Sequence, residues 1–341
     1  MVCQSVQGCL CGRLLRTCAL SGLAFFSLEL FFWSRKFLRK IVQALCSHCI
    51  YSYYFLLAPY TFLCEYKRLM KIATLQTCST PDVSENLDTA RTLIGQAAAQ
   101  GAELVVLPEY FCSMGQRDTD KLQWCEAYGH GPVQDIMAQW AREHGIWLAG
   151  GTIALQANSP DHIRNSTLVY NPQGQCVARY DKIHLFRFST GREHYDESIV
   201  IEAGSDPVMV AVTDRCGQHW RVGLSVCYDL RFPELYRHYA TQGADIVLIP
   251  SAFTYTTGQA HWEVLLRARA IENQCYVAAA AQGGHHINGR QTWGHSMLVD
   301  PWGDIQAQCT QPGSGIAIAI ADHTRLQQVR SQLPALQHRV L

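Results

Sequence analysis

The chain has 341 residues, 48% of them apolar and 16% charged, enough for one large domain or two small ones. Its 28 basic residues balance its 28 acidic ones, which argues against nucleic acid or another polyanion as a partner. Fifteen scattered cysteines in so long a chain do not read as a disulfide framework, so a reducing compartment is expected.

The neutral total conceals two unlike parts. Residues 1–69 carry a net charge of +6 and seven cysteines, and residues 70–341 carry −6 and eight. In the first part the run Thr17 to Trp33 is apolar apart from small polar residues and Glu29, and Arg13, Arg16, Arg35 and Lys36 flank it. A membrane anchor is one reading, although the run sits near the roughly 17-residue lower limit and Glu29 is costly inside it. A secretory leader would need a small-residue cleavage site that is not evident, and a transit peptide would be less hydrophobic. The favoured expectation is that residues 1–69 stand outside the working protein, because Met70-Lys71 precedes a clean strand and the segment has no periodicity joining it to a core. Membrane contact is expected only if they are retained. The pair Cys46 and Cys49 has zinc-like spacing, but no second pair completes four ligands.

From residue 70 onward short apolar runs alternate with amphipathic ones. Strands are predicted over Ile72–Gln76 and Glu103–Pro108, with a helix over Asn86–Gln100 stopped by Gly101 between them. A second helix, Val133–His144, ends at Gly145, and a strand Ile146–Leu155 contains Gly150-Gly151. Ser166–Tyr170 and Cys176–Tyr180 flank Asn171-Pro-Gln-Gly174, a hairpin signature. Further strands are predicted at Val208–Thr213, Val222–Val226, Asp245–Pro250, Tyr276–Ala281, Met297–Val299 and Ile316–Ile320. Helices are predicted at Pro233–Gln242, His261–Asn273 and Leu326–Leu333, and Asp300-Pro-Trp-Gly303 is read as the turn between the last two strands. The mixture places residues 70–341 in one α/β or α+β domain, and the hairpins argue against a purely parallel sheet.

Three places carry chemistry. Glu109 ends the apolar strand Leu-Val-Val-Leu-Pro, where apolar walls would raise its pKa and suit a general base; a solvated strand end is the plainer reading. Lys182, in Tyr-Asp-Lys-Ile-His-Leu-Phe, follows a strand, and is either surface charge or a cation for an oxyanion. Cys227, in Gly-Leu-Ser-Val-Cys-Tyr-Asp-Leu-Arg-Phe-Pro-Glu, sits where a buried strand breaks before a proline-started helix. Buried cysteines are usually packing, but such an elbow can expose a nucleophile, and a nearby helix N-terminus would favour the thiolate.

In the order Glu, Lys, Cys, these segments resemble the nitrilase (carbon–nitrogen hydrolase) superfamily, over about residues 70–341. Ala260-His-Trp-Glu-Val-Leu-Leu-Arg-Ala-Arg-Ala-Ile-Glu-Asn273 and Gly294-His-Ser-Met-Leu-Val-Asp-Pro-Trp-Gly303 are similar to further blocks of that family. The resemblance implies a four-layer α-β-β-α sandwich of α+β class with mixed sheets, Glu109 as base, Lys182 as oxyanion cation and Cys227 as nucleophile. It implies a second glutamate after the lysine, placed at Glu197, with Glu193 as the alternative. It also implies a small amide as substrate, no metal or other cofactor, a homodimer and a cytoplasmic setting.

The Cys227 block, the Ala260 block and the Pro-Ala-Leu-Gln-His-Arg ending look most like the branch that cleaves deaminated glutathione to 2-oxoglutarate and cysteinylglycine. An ω-amidase acting on 2-oxoglutaramate, or a member that binds without catalysis, is the alternative. Tyr228 would contribute its backbone N–H to the oxyanion site. Arg231 would pair with a substrate carboxylate, or else with Glu234. A metal-dependent hydrolase is the remotest reading, because His261, His285, His286 and His295 lack convincing ligand spacing.

Overall fold

A computed structural model describes residues 69–191 and 193–340. The readings of residues 1–68, including the apolar run and the Cys46/Cys49 pair, lie outside the described residues.

The first half of the domain runs β1 (Leu69–Gln76), α1 (Val83–Ala99), β2 (Leu104–Val106), α2 (Pro132–His144), β3 (Trp147–Ala149), β4 (Ile153–Gln156), β5 (Ile163–Tyr170) and β6 (Cys176–Asp181). A short hairpin follows, β7 (Arg187–Ser189) with β8 (His194–Asp196). The second half runs β9 (Met209–Thr213), β10 (His219–Leu224), α3 (Pro233–Thr241), β11 (Ile246–Leu248), α4 (Tyr255–Asn273) and β12 (Tyr276–Ala279). The chain then forms the hairpin β13 (Gly283–His285) and β14 (Gln291–Trp293), β15 (Met297–Val299), β16 (Ile305–Gln308), β17 (Gly315–Asp322) and α5 (His323–Gln332).

One sheet has the order β17-β1-β2-β3-β5-β4 with β6 on β5, and the other β16-β15-β12-β11-β10-β9. Each has a parallel centre, β1-β2-β3 in one and β10-β11-β12 in the other, with antiparallel strands outside. Alternation along the strands explains the layering. Ile72, Leu104 and Val106 face a core shared with Trp220, Val222 and Tyr276 of the second sheet. Their neighbours Ala73, Leu75, Val105 and Leu107 face the other way, against Ala90 and Ile94 of α1 and Met137 and Trp140 of α2. The second sheet in turn packs with Tyr236 and Tyr239 of α3 and Trp262 and Leu266 of α4. The layers are therefore α-β-β-α, as expected.

Local chemistry moves several boundaries. Asp82 caps α1 by accepting from the Ser84 and Glu85 amides, so the helix starts three residues before Asn86. Thr254 accepts from the Thr257 amide, and α4 opens at Tyr255, six residues before His261. The strand predicted over Ile146–Leu155 is two strands. Gly151 takes φ +53° between them, and a Cβ there would stand 2.1 Å from the Pro108 carbonyl oxygen. The turn at Asp300–Gly303 leads into β16, a strand absent from the prediction, rather than directly to β17. Among the described residues no helix is long and apolar enough to cross a membrane.

Candidate active site

Glu109 lies three residues past β2, at the end of the buried strand that predicted it. The backbone there is held on several sides. Leu107 donates to the Ala149 carbonyl, the Glu109 carbonyl accepts from Gln282 Nε2 at 3.0 Å, and the Tyr110 amide donates to Thr152 Oγ1 at 3.0 Å. Tyr110 itself takes φ +56°, a conformation that turns the chain sharply after the carboxylate. Lys182 follows β6 directly, and its amide continues the pairing with β5 by donating to the Asn165 carbonyl at 3.0 Å. Its side chain is fully buried. Its ammonium donates to Glu109 Oε1 at 2.9 Å and lies 2.7 Å from Glu197 Oε2. Asn165 Nδ2 donates to the same Glu109 oxygen at 2.9 Å. Glu197 is fixed by the Phe186 amide at 2.7 Å and the Tyr110 hydroxyl at 2.9 Å.

Glu109 and Lys182 are both 1% exposed. Burial raises the Glu109 pKa above the carboxylate range, with Lys182 pulling it back and Glu197 adding to the rise. Burial works against the Lys182 charge, but the two glutamates outweigh it and hold the ammonium protonated well above its usual range.

Cys227 comes from the other sheet. β10 ends at Leu224, two residues short of the predicted strand end, and Cys227 begins a 3-10 turn, Cys227–Arg231, with φ +49°. Its amide donates to the Pro250 carbonyl at 2.9 Å, beyond the end of β11. Asp229 secures the bend. This fully buried carboxylate accepts from the Val226 amide at 2.8 Å, the Tyr180 hydroxyl at 2.7 Å, and the amide and Nδ1 of His184 at 2.9 and 2.7 Å. Tyr180 and His184 flank Lys182, so one carboxylate ties the cysteine elbow to the lysine segment. The Cys227 thiol and the Glu109 carboxylate line the same cleft, close enough for the charge of each to act on the other. The expected preference for thiolate is reversed: burial first, then the charge of Glu109, raises the thiol pKa well above the ordinary value despite Lys182. The α3 N-terminus, six residues further on, does not offset this. The raised pKa favours the thiol over the thiolate, with the Glu109 carboxylate beside it.

The thiol opens on a cleft of ≈ 570 Å³ lined by Glu109, Tyr110, Phe186, Glu197 and Thr254, among others. A narrower recess of ≈ 200 Å³, lined by Tyr228, Arg231, Phe253 and Thr257, meets it at Cys227. Arg231 therefore lines the same recess as Cys227. Its guanidinium is 5.2 Å from the Phe253 ring centre and 3.2 Å from His261 Nδ1, and among the described residues no ion pair joins it to Glu234. Glu193 is elsewhere, accepting from Thr256 Oγ1 at 3.1 Å, so Glu197 is the glutamate at the lysine.

The histidines have ordinary partners: His286 donates from Nδ1 to the Ser79 carbonyl and accepts from Thr292, and His295 stacks on Trp293. Three members of the site were missing from the sequence reading: Asn165, Asp229 and the Tyr110 hydroxyl. Asp229 lay inside the Cys227 motif, but no local pattern announces that a carboxylate will be buried against a tyrosine and a histidine 49 and 45 positions away.

Residues 71–331 match the carbon–nitrogen hydrolase family. A deaminated glutathione amidase of Synechocystis sp. is 45% identical over 269 residues, covering 79% of this chain and 97% of that one. The crystal structure of the C. elegans NitFhit protein is 38% identical with a TM-score of 0.70, covering 80% of this chain; this chain spans only 65% of it. Saccharomyces cerevisiae Nit3, a member of branch 10 of the nitrilase superfamily, is 29% identical with a TM-score of 0.71 over 80% of this chain and 97% of its own. The chain thus belongs to the carbon–nitrogen hydrolase family of the nitrilase superfamily, and is an enzyme of that class.

Proposed function

We propose that this chain is a cysteine-dependent amidase that passes through a thioester, with Glu109, Lys182 and Cys227 as its catalytic groups. The observation that carries the reading is a buried thiol lining one cleft with a buried carboxylate that holds a buried ammonium at 2.9 Å. Lys182 and Asn165 occupy Glu109 Oε1, which leaves the second oxygen to take the thiol proton. Sulfur attacks the amide carbon, and the Lys182 ammonium and the Tyr228 N–H receive the oxyanion. Glu109 returns the proton to the leaving nitrogen, and the C–N bond breaks. Water then loses its proton to Glu109, attacks the thioester and frees the acid and the thiol. Glu197 keeps Lys182 charged and in place.

Deaminated glutathione is the substrate this reading favours. Relatives that share two-fifths or more of their sequence with the chain bear that activity's name, and Arg231 beside Cys227 suits a carboxylate on the acyl arm. The purified full chain is to be given deaminated glutathione, 2-oxoglutaramate and simple nitriles. Release of cysteinylglycine with a kcat/KM above that for 2-oxoglutaramate is expected. The reverse order would make it an ω-amidase, and no turnover with no thioester trapped would refute the amidase reading.

A homodimer in the cytoplasm is part of the same proposal, tested by sedimentation and by cell fractionation. So is a division into residues 70–341 as the hydrolase domain and residues 1–69 outside the working protein. Mass spectrometry of the natural N-terminus finding residues before Met70 would overturn that division.

A further inference from the structure

The recess at Arg231 and the larger cleft meet at Cys227, sharing Phe186, Ala252 and Thr254. Cys227 therefore borders both spaces, one for each arm of an amide. The smaller side has a guanidinium. The larger side has a cluster of its own that catalysis leaves unused.

That cluster is Asp118, Lys121 and Arg290, all lining the same cleft as Cys227. Lys121 and Arg290 reach it from places far apart in sequence, the first from the 3-10 segment Asp118–Trp124 and the second from the turn between β13 and β14. Arg290 Nη2 lies 2.8 Å and Lys121 Nζ 3.1 Å from one and the same oxygen, Asp118 Oδ1. Two cations thus share a single carboxylate, and one positive charge is left over. Both are held rigidly: Lys121 stands 4.7 Å over the Tyr110 ring and Arg290 lies 5.3 Å from the centre of the Tyr195 ring. Of the carboxylates nearby, Asp196 already faces Arg187 at 3.3 Å, and Glu193 accepts from the Tyr195 hydroxyl at 3.4 Å and from Thr256 at 3.1 Å. Nearer the thiol the balance is opposite, since two glutamates surround Lys182. An anionic group entering the cleft is repelled there and drawn to the outer cluster.

We infer that Lys121 and Arg290 form a second carboxylate subsite, which takes the carboxylate of the leaving amine while Arg231 takes that of the acyl arm. The inference rests on the amidase reading and deepens it, because it selects amides charged at both ends. Charge assigns the ends: the acyl carboxylate goes to the Arg231 side, which leaves the side of Lys121 and Arg290 for the dipeptide arm. Deaminated glutathione has a carboxylate on each side of the scissile bond. 2-Oxoglutaramate has one only, and its leaving group is ammonia.

The test compares deaminated glutathione with its glycinamide, in which the far carboxylate is neutral. Wild-type enzyme is expected to prefer the acid by roughly 10–100-fold in kcat/KM, mostly through KM, the range for a hydrogen bond to a charged group. Arg290→Gln should bring that ratio close to one and leave 2-oxoglutaramate turnover within about twofold, since that substrate does not reach the cluster. Arg290→Lys should recover part of the preference. An equal loss on acid and amide, or no loss on either, overturns the subsite. Calorimetry on the wild-type enzyme with cysteinylglycine and with its C-terminal amide reads the same contact without turnover. Equal binding of the two, or binding of neither, overturns the subsite. Tighter binding of the acid without any turnover of deaminated glutathione supports it, and sinks the amidase reading alone.

Discussion

Each sheet brings a strand end to the catalytic centre, and the two ends are built differently. The first sheet supplies charge: Glu109 after β2 and Lys182 after β6, set against each other and against Glu197. Such groups are costly to bury, and their places are fixed by hydrogen bonds between side chains from Asn165, Tyr110 and the lysine itself. The second sheet supplies a neutral thiol. Cys227 is placed by backbone, with φ +49°, an amide bond to Pro250 and the carboxylate of Asp229 beneath the turn. The charged side is organised by electrostatics and the nucleophile side by chain geometry, so the two should fail in different ways when altered.

The largest effect is expected at the thiol. Cys227→Ala should reduce turnover by at least about 10⁴-fold, as loss of a nucleophile does, while the melting temperature moves little, because the backbone contacts remain. On the charged side activity and stability should fall together. Lys182→Ala removes an oxyanion donor, for a loss of about 100–1000-fold, and leaves two buried carboxylates facing each other. Breaking a buried pair in this way destabilises by about 3–5 kcal/mol. Denaturant unfolding beside single-turnover kinetics separates the two cases. A Lys182→Ala protein as stable as wild type would undo the contrast.

Gly151→Ala probes the seam on the charged side. Gly151 combines a positive φ with close approach to Pro108, whose peptide carries Glu109. An added methyl should cost about 1–3 kcal/mol and displace Glu109, lowering kcat by tenfold or more in order of magnitude. Unchanged kcat alongside lost stability would show that the carboxylate tolerates movement of its strand end.

Much of this was legible in the sequence for one reason. Glu109 and Cys227 each close a buried apolar strand, a local pattern, and Lys182 stands where a strand gives way to an apolar stretch. The run Ile72–Gln76 likewise reads as a strand, and the structure shows it lying between two cores. What escaped notice is non-local. Asn165 and Asp229 are polar residues whose partners arrive 56 and 45 positions away. β7, β8, β13 and β14 are three-residue strands too short and polar to show a period of two. The thiol's high pKa was missed because it is set by burial and by the charge of Glu109, contributed from the other sheet.

Asn165→Leu should give the smallest effect, and it isolates the electrostatic half of the contrast. The Asn165 amide donates to Glu109 Oε1 and, at 3.2 Å, to the Tyr110 hydroxyl, while its own oxygen is buried without a partner. Replacing it by a similar apolar volume therefore removes one donor from the base and orphans no acceptor on residue 165. A donor to a carboxylate favours the ionised form, so its loss raises the Glu109 pKa further. The proposed mechanism needs Glu109 ionised to take the thiol proton. Burial already raises this group, so losing the donor should move the acid limb of kcat/KM further to higher pH. At the plateau the loss should be only a few-fold in order of magnitude, since Lys182 still holds Oε1. An acid limb that stays in place, or moves to lower pH, would mean that the amide orients Tyr110 and has no part in setting the charge of Glu109.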